Sequence, residues 1–135
     1  MKKTIRLFPL LLILSISLSQ YGYNQWDLRE EIISRYDNGN KKILIKYSGH
    51  GSNEKIVERI TYSKDNNVLI IEKPQEKIKI LMEYYSNNNL KTKEHYKENQ
   101  LHGECIYYSR SGDIREQGNY KDGQVDGPFK VYYES

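Results

Sequence analysis

Residues 83–103 read EYYSNNNLKTKEHYKENQLHG, and residues 106–127 read IYYSRSGDIREQGNYKDGQVDG. Laid over each other, the two stretches place Tyr84-Tyr85 on Tyr107-Tyr108, Tyr96 on Tyr120 and Gly103 on Gly127. The offsets are 23 to 24 residues, a period that marks a chain built from repeated supersecondary units. A partial copy occupies 131–135, beginning at Tyr132-Tyr133. Degenerate copies fill 30–80, where Tyr36-Asp37-Asn38-Gly39 is followed by Tyr47 and Tyr62 marks a weaker unit. Residues 63–77, which include Pro74, match worst.

Within a unit the periodicity is two. Ile78, Ile80, Met82 and Tyr84 fall on one side of an extended strand, as do Ile43, Ile45 and Tyr47, and again Phe129, Val131 and Tyr133. Between such runs stand Asp37-Asn38-Gly39-Asn40, Asp65-Asn66-Asn67, Asn87-Asn88-Asn89, Ser111-Gly112-Asp113 and Lys121-Asp122-Gly123-Gln124. Asn and Gly accept the positive φ of tight turns. Short strands with turn signals every ten to twelve residues predict an antiparallel meander. Gln25–Tyr36 could form a short helix, but pairing of Glu30–Tyr36 with Lys41–Tyr47 is the preferred reading. The chain contains no alanine, and tyrosine supplies 13 of its aromatic residues, which also suits strands better than helices. Each unit is therefore expected to be one hairpin, with the Tyr pair and the lone Tyr on its two strands. Gly103 and Gly127 are expected to close the turn into the next unit. If Tyr96 and Tyr120 are buried, replacing either by Ala should cost about 2–4 kcal/mol.

These motifs resemble the variant MORN repeat of bacterial proteins, and also the group labelled YwqK-type antitoxins, which are built from the same units. The resemblance implies an elongated, single-layer antiparallel sheet of tandem hairpins. The repeats, the N-terminal segment and the lack of a catalytic constellation described below together lead to the expectation of a non-enzymatic binding protein of the cell envelope. The antitoxin branch of the resemblance implies the alternative of an immunity protein that binds and blocks a cognate toxin.

Lys2, Lys3 and Arg6 precede an apolar run over Leu7–Leu14, and Ser17 and Ser19 occupy the −3 and −1 positions before Gln20. This is the layout of a cleavable signal peptide over 1–19, with the repeat domain over 20–135. No cysteine follows the apolar run, so no lipid anchor is expected, and the product is expected to be periplasmic or secreted. Without those three basic residues the remaining 18 Lys and Arg balance 18 Asp and Glu. A neutral chain offers no general grip on a polyanion, so neither nucleic acid nor a membrane surface is an expected partner. A protein partner is expected instead. With one cysteine, Cys105, no intramolecular disulfide can form.

No arrangement of catalytic residues stands out. His50, His95 and His102 are scattered and lack the paired spacing of a metal site, so no metal or cofactor is expected. Cys105 with His102 is a nucleophile and base only in the abstract. Gly49-His50-Gly51-Ser52 lacks the Lys and the following helix of a phosphate-cradling loop. Carboxylates alternate with lysines, as in Lys93-Glu94, which reads as a solvated strand face. The tyrosines remain. A one-layer sheet cannot cover both of its faces, so Tyr84, Tyr85, Tyr107, Tyr108 and Tyr132 are candidate binding residues, and Tyr96, Tyr120, Gly103 and Gly127 are structural.

Overall fold

The computed structural model describes residues 28–133. The expected signal peptide, residues 1–19, lies outside them. Eleven strands form one open antiparallel sheet. They are β1 (Leu28–Arg35), β2 (Lys41–Ser48), β3 (Lys55–Tyr62), β4 (Val68–Lys73), β5 (Ile78–Tyr84), β6 (Leu90–Lys97), β7 (Gln100–Leu101), β8 (Gly103–Tyr108), β9 (Ile114–Lys121), β10 (Gln124–Val125) and β11 (Lys130–Val131). Each strand pairs with its sequence neighbour, except that β7 and β8 share one side of β6, and β10 and β11 share one side of β9. A single 3₁₀ turn, Gly51–Asn53, is the only helical piece among the described residues. The meander expected from the sequence is the fold, and β1 pairs with β2 as preferred over a helix.

One end of the sheet shows the repeat most plainly. The N–H of Tyr36, Ser63, Tyr85 and Ser109 donates to the carbonyl of Asn40, Asn67, Asn89 and Asp113, respectively, at 2.7–2.9 Å. Inside each loop the fourth residue (Gly39, Asn66, Asn88 or Gly112) has positive φ and donates back to the first carbonyl. A bulge follows each loop at the same place, leaving Arg35↔Lys41, Tyr62↔Val68, Tyr84↔Leu90 and Tyr108↔Ile114 as equivalent pairs. Asn88 therefore does the work of a glycine. The stretch 63–77, which matches worst in sequence, closes into the same hairpin.

The four loops also hold one another. Asn38 and Asn40 each donate a side-chain amide to Lys64 O, at 3.1 and 2.9 Å. Asn87 and Asn89 do the same to Arg110 O, both at 2.9 Å. Tyr36 Oη and Tyr85 Oη reach Tyr62 O and Tyr108 O, each at 2.8 Å. Asn67 bridges the middle pair of loops to Asn88 at 3.2 Å.

Gly103 and Gly127 do not close turns. The turns are Glu98-Asn99 and Asp122-Gly123, whose positive φ values make them the two-residue connection that suits twisted strands. Gly103 (φ +104) and Gly127 (φ +92) lie further on, where the strand returns along its partner with two extra residues. There the N–H of His102 and of Asp126 donates to His95 O and Asn119 O, at 2.8 Å in both units. Only glycine adopts such φ values without strain, which is why the repeat places it there.

The register also fixes the two faces, called front and back here. On the back, Ile32, Leu44, Ile60, Ile71, Ile80 and His95 stand opposite one another across six strands. The front carries Ile43, Thr61, Ile70 and Leu81 one position over. Leu44 and Ile60 are buried on the back, Ile45 and Cys105 on the front. Among the described residues the core is thus a strip along each side of one layer, shielded by neighbouring side chains rather than by a second layer.

Candidate functional site

Strand alternation separates the candidate tyrosines. Tyr96, Tyr107 and Tyr120 lie on the front, because Tyr96 faces Lys79, Tyr107 faces Thr92 and Tyr120 faces Gly103. Tyr84 and Tyr108 lie on the back. Tyr85 opens its loop, and Tyr132 follows β11 with 46% of its surface exposed. Three of the five candidate binding tyrosines have their hydroxyls engaged within the sheet: Tyr84 with Val68 O at 2.9 Å, Tyr85 with Tyr108 O, and Tyr107 with Glu94 Oε1 at 2.9 Å. What they offer a partner is ring surface. The structural pair, Tyr96 and Tyr120, is half-buried rather than buried, so the cost of truncating either falls to about half of the fully buried figure.

A cluster of titratable side chains lies on the front. Glu94 accepts from Tyr96 Oη at 2.7 Å and from Tyr107 Oη, so one carboxylate ties two strands through two phenols. The hydrogen bond to Glu94, aided by burial, holds the Tyr96 phenol up to about 12. Burial first, then Glu94, raises Tyr107 as well. Cys105, which faces Gly118 on β9, is fully enclosed, and burial pushes its thiol up, making it a poor nucleophile. His102 Nδ1 lies 3.3 Å from Asp122 Oδ1 at the turn, and His95 Nδ1 bonds to Glu104 O. Among the described residues no group of three His, Cys, Asp or Glu could hold a metal ion.

An open cleft of about 440 Å³ lies at the end of the sheet opposite the four loops. Its floor is Arg59, Glu72 and Lys79, in cross-strand register, and its rim is the exposed Lys77–Glu98 ion pair at 2.7 Å. Sequence reading missed this cleft, since its residues come from four segments and only the strand register brings them together.

Geometry of this kind defines an open, repeat-built β-sheet protein. Residues 80–98 and 101–122 match the family model described as the MORN repeat variant. The matched segments run from Ile80 to the turn at Glu98, and from Leu101 to Asp122, so each covers most of one hairpin. No curated protein and no solved structure matches the chain. The repeat match supports a repeat-based interaction protein.

Proposed function

We propose that this chain is an exported, non-enzymatic interaction protein of the cell envelope, binding a protein partner through its tyrosine-bearing front face. The supporting observation is the half-exposed group Tyr96, Tyr107 and Tyr120 on a sheet over which, among the described residues, no second layer lies. With two of these hydroxyls fixed by Glu94, the rings are held in place before a partner arrives, so little side-chain freedom is lost on binding. The N-terminal sequence supports export. A cognate toxin is the partner implied by the antitoxin resemblance, and a toxin-like reading frame beside the gene would favour it.

The test is a photo-crosslinking residue at Tyr120, followed by capture from envelope and cytoplasmic fractions. One dominant adduct from the envelope, absent when the crosslinker sits in the loop at Ser86, is the expected result. Equal labelling from both positions would sink the front-face reading. An adduct found only in the cytoplasmic fraction would sink the envelope assignment.

A further inference from the structure

The two faces of β5–β11 differ in charge as well as in aromatic content. On β6, Thr92, Glu94 and Tyr96 point to the front, and Lys93, His95 and Lys97 to the back. The same alternation sends Glu116 and Tyr120 of β9 forward, and Lys121 back. Lys130 of β11 stands opposite Gln117, also on the back. Glu104 is the one carboxylate on these strands that shares the back face, and its Oε1 is held by Gln117 Nε2 at 2.9 Å. Among the described residues, none of Lys93, Lys97, Lys121 or Lys130 has a carboxylate within 4 Å. Further along the same face, by contrast, Lys46 sits between Glu30 and Glu58, at 3.6 and 3.3 Å. The described strands thus carry a cationic patch at one end of one face.

We propose that the back of β5–β11 docks an acidic polypeptide segment, a surface distinct from the tyrosine face. Lysines with no carboxylate in salt-bridge range gain most from a polyanion laid across them. Between them stand Ile80, Met82 and Ile106, in the row Met82↔Lys93↔Ile106↔Gln117↔Lys130 and the row beside it. Apolar and cationic positions therefore interleave, which suits a strand or loop in which acidic and aliphatic residues do the same. A single-stranded nucleic acid would want rings to stack on. The rings of β6 and β9, Tyr96 and Tyr120, are on the other face, and the two on the back, Tyr84 and Tyr108, lie at the loop end of their strands, whereas Lys97 and Lys121 lie at the opposite end.

The test is fluorescence anisotropy of the chain against a short labelled peptide alternating Glu with Val. Its Gln-for-Glu counterpart, a single-stranded oligonucleotide, and phosphatidylcholine vesicles with and without phosphatidylserine complete the set. The Glu peptide should bind, the Gln peptide should not, and added salt should weaken binding. Lys93→Gln, Lys97→Gln and Lys121→Gln together should weaken it at least about tenfold, the equivalent of losing roughly 1.4 kcal/mol. Lys79→Gln on the front should leave it unchanged. Glu104→Gln, which removes the one back-face carboxylate, should tighten it and gives a readout that does not depend on the triple variant folding. Absence of Glu-peptide binding, equal binding by the triple variant, or tighter binding to oligonucleotide or vesicles would overturn the proposal. Crosslinking from Tyr120 is independent of all of these.

Discussion

The Phe129 ring occupies the space that a side chain on Gly118 would need: a Cβ there would stand 2.5 Å from Phe129 Cδ2. Gly118 is in ordinary strand conformation, so the glycine is required by the ring and not by the backbone. Gly118→Ala should therefore cost about 1–3 kcal/mol through overpacking. In a Phe129→Ala background the same substitution should cost nothing, or stabilise slightly by stiffening the strand. Urea unfolding of the four variants checks this. Because Cys105 faces Gly118 from the other side, its labelling by a thiol reagent should quicken in Gly118→Ala.

The Glu94 cluster makes stability depend on alkaline pH. Tyr96 binds its proton more tightly folded than unfolded, and so does Tyr107. Their contribution is complete below the ordinary phenol value of 10.0 and is lost as pH rises through about 12 for Tyr96. Chemical denaturation at about pH 9 and about pH 11 should show the fall. Glu94→Gln removes the largest cause of the Tyr96 shift, so one phenol should titrate earlier by ultraviolet absorbance. Tyr107, raised chiefly by burial, should stay high.

Tyr96→Phe should cost about 1 kcal/mol, the ordinary net worth of one hydrogen bond. Tyr96→Ala should cost more, by the area of a half-buried ring. Equal losses in the two variants, read from thermal unfolding, would show that the ring itself contributes nothing.

At the loop end, Asn88 has φ +65 and Asn66 φ +67, beside Gly39 and Gly112 at the equivalent positions. Asn88→Gly should be near neutral, whereas Asn88→Val should cost about 1–2 kcal/mol, since a β-branched residue resists the left-handed region. Asn89→Ala removes the amide that binds Arg110 O and should cost about 1 kcal/mol.

Export is checked by the mass of the purified product. Cleavage between Ser19 and Gln20 predicts a chain that starts at Gln20. A product retaining Met1–Ser19 would remove the envelope from the proposed function.

The meander was legible because hairpin chemistry is local. Period-two runs and Asn- or Gly-rich turns specify each strand pair without reference to the rest of the chain. The hairpin over β3 and β4 was harder to read, since its loop residues Ser63–Asn67 lack glycine and its strands carry few tyrosines. Gly103 and Gly127 were recognised as structural but given turns, because sequence spacing cannot tell a bulge from a turn when both require positive φ. The charged patch was missed for a different reason. Lys93-Glu94 reads as one solvated strand face, although neighbours in a strand face opposite ways. Opposite charges adjacent in the sequence are therefore separated in space.

The returning strands at His102-Gly103 and Asp126-Gly127 each take up two surplus residues, an even number, so side-chain sidedness survives the irregularity. A deletion or insertion of one residue at either place would transpose everything downstream, presenting lysine where tyrosine belongs. Length variation at these points in natural variants should therefore come in pairs.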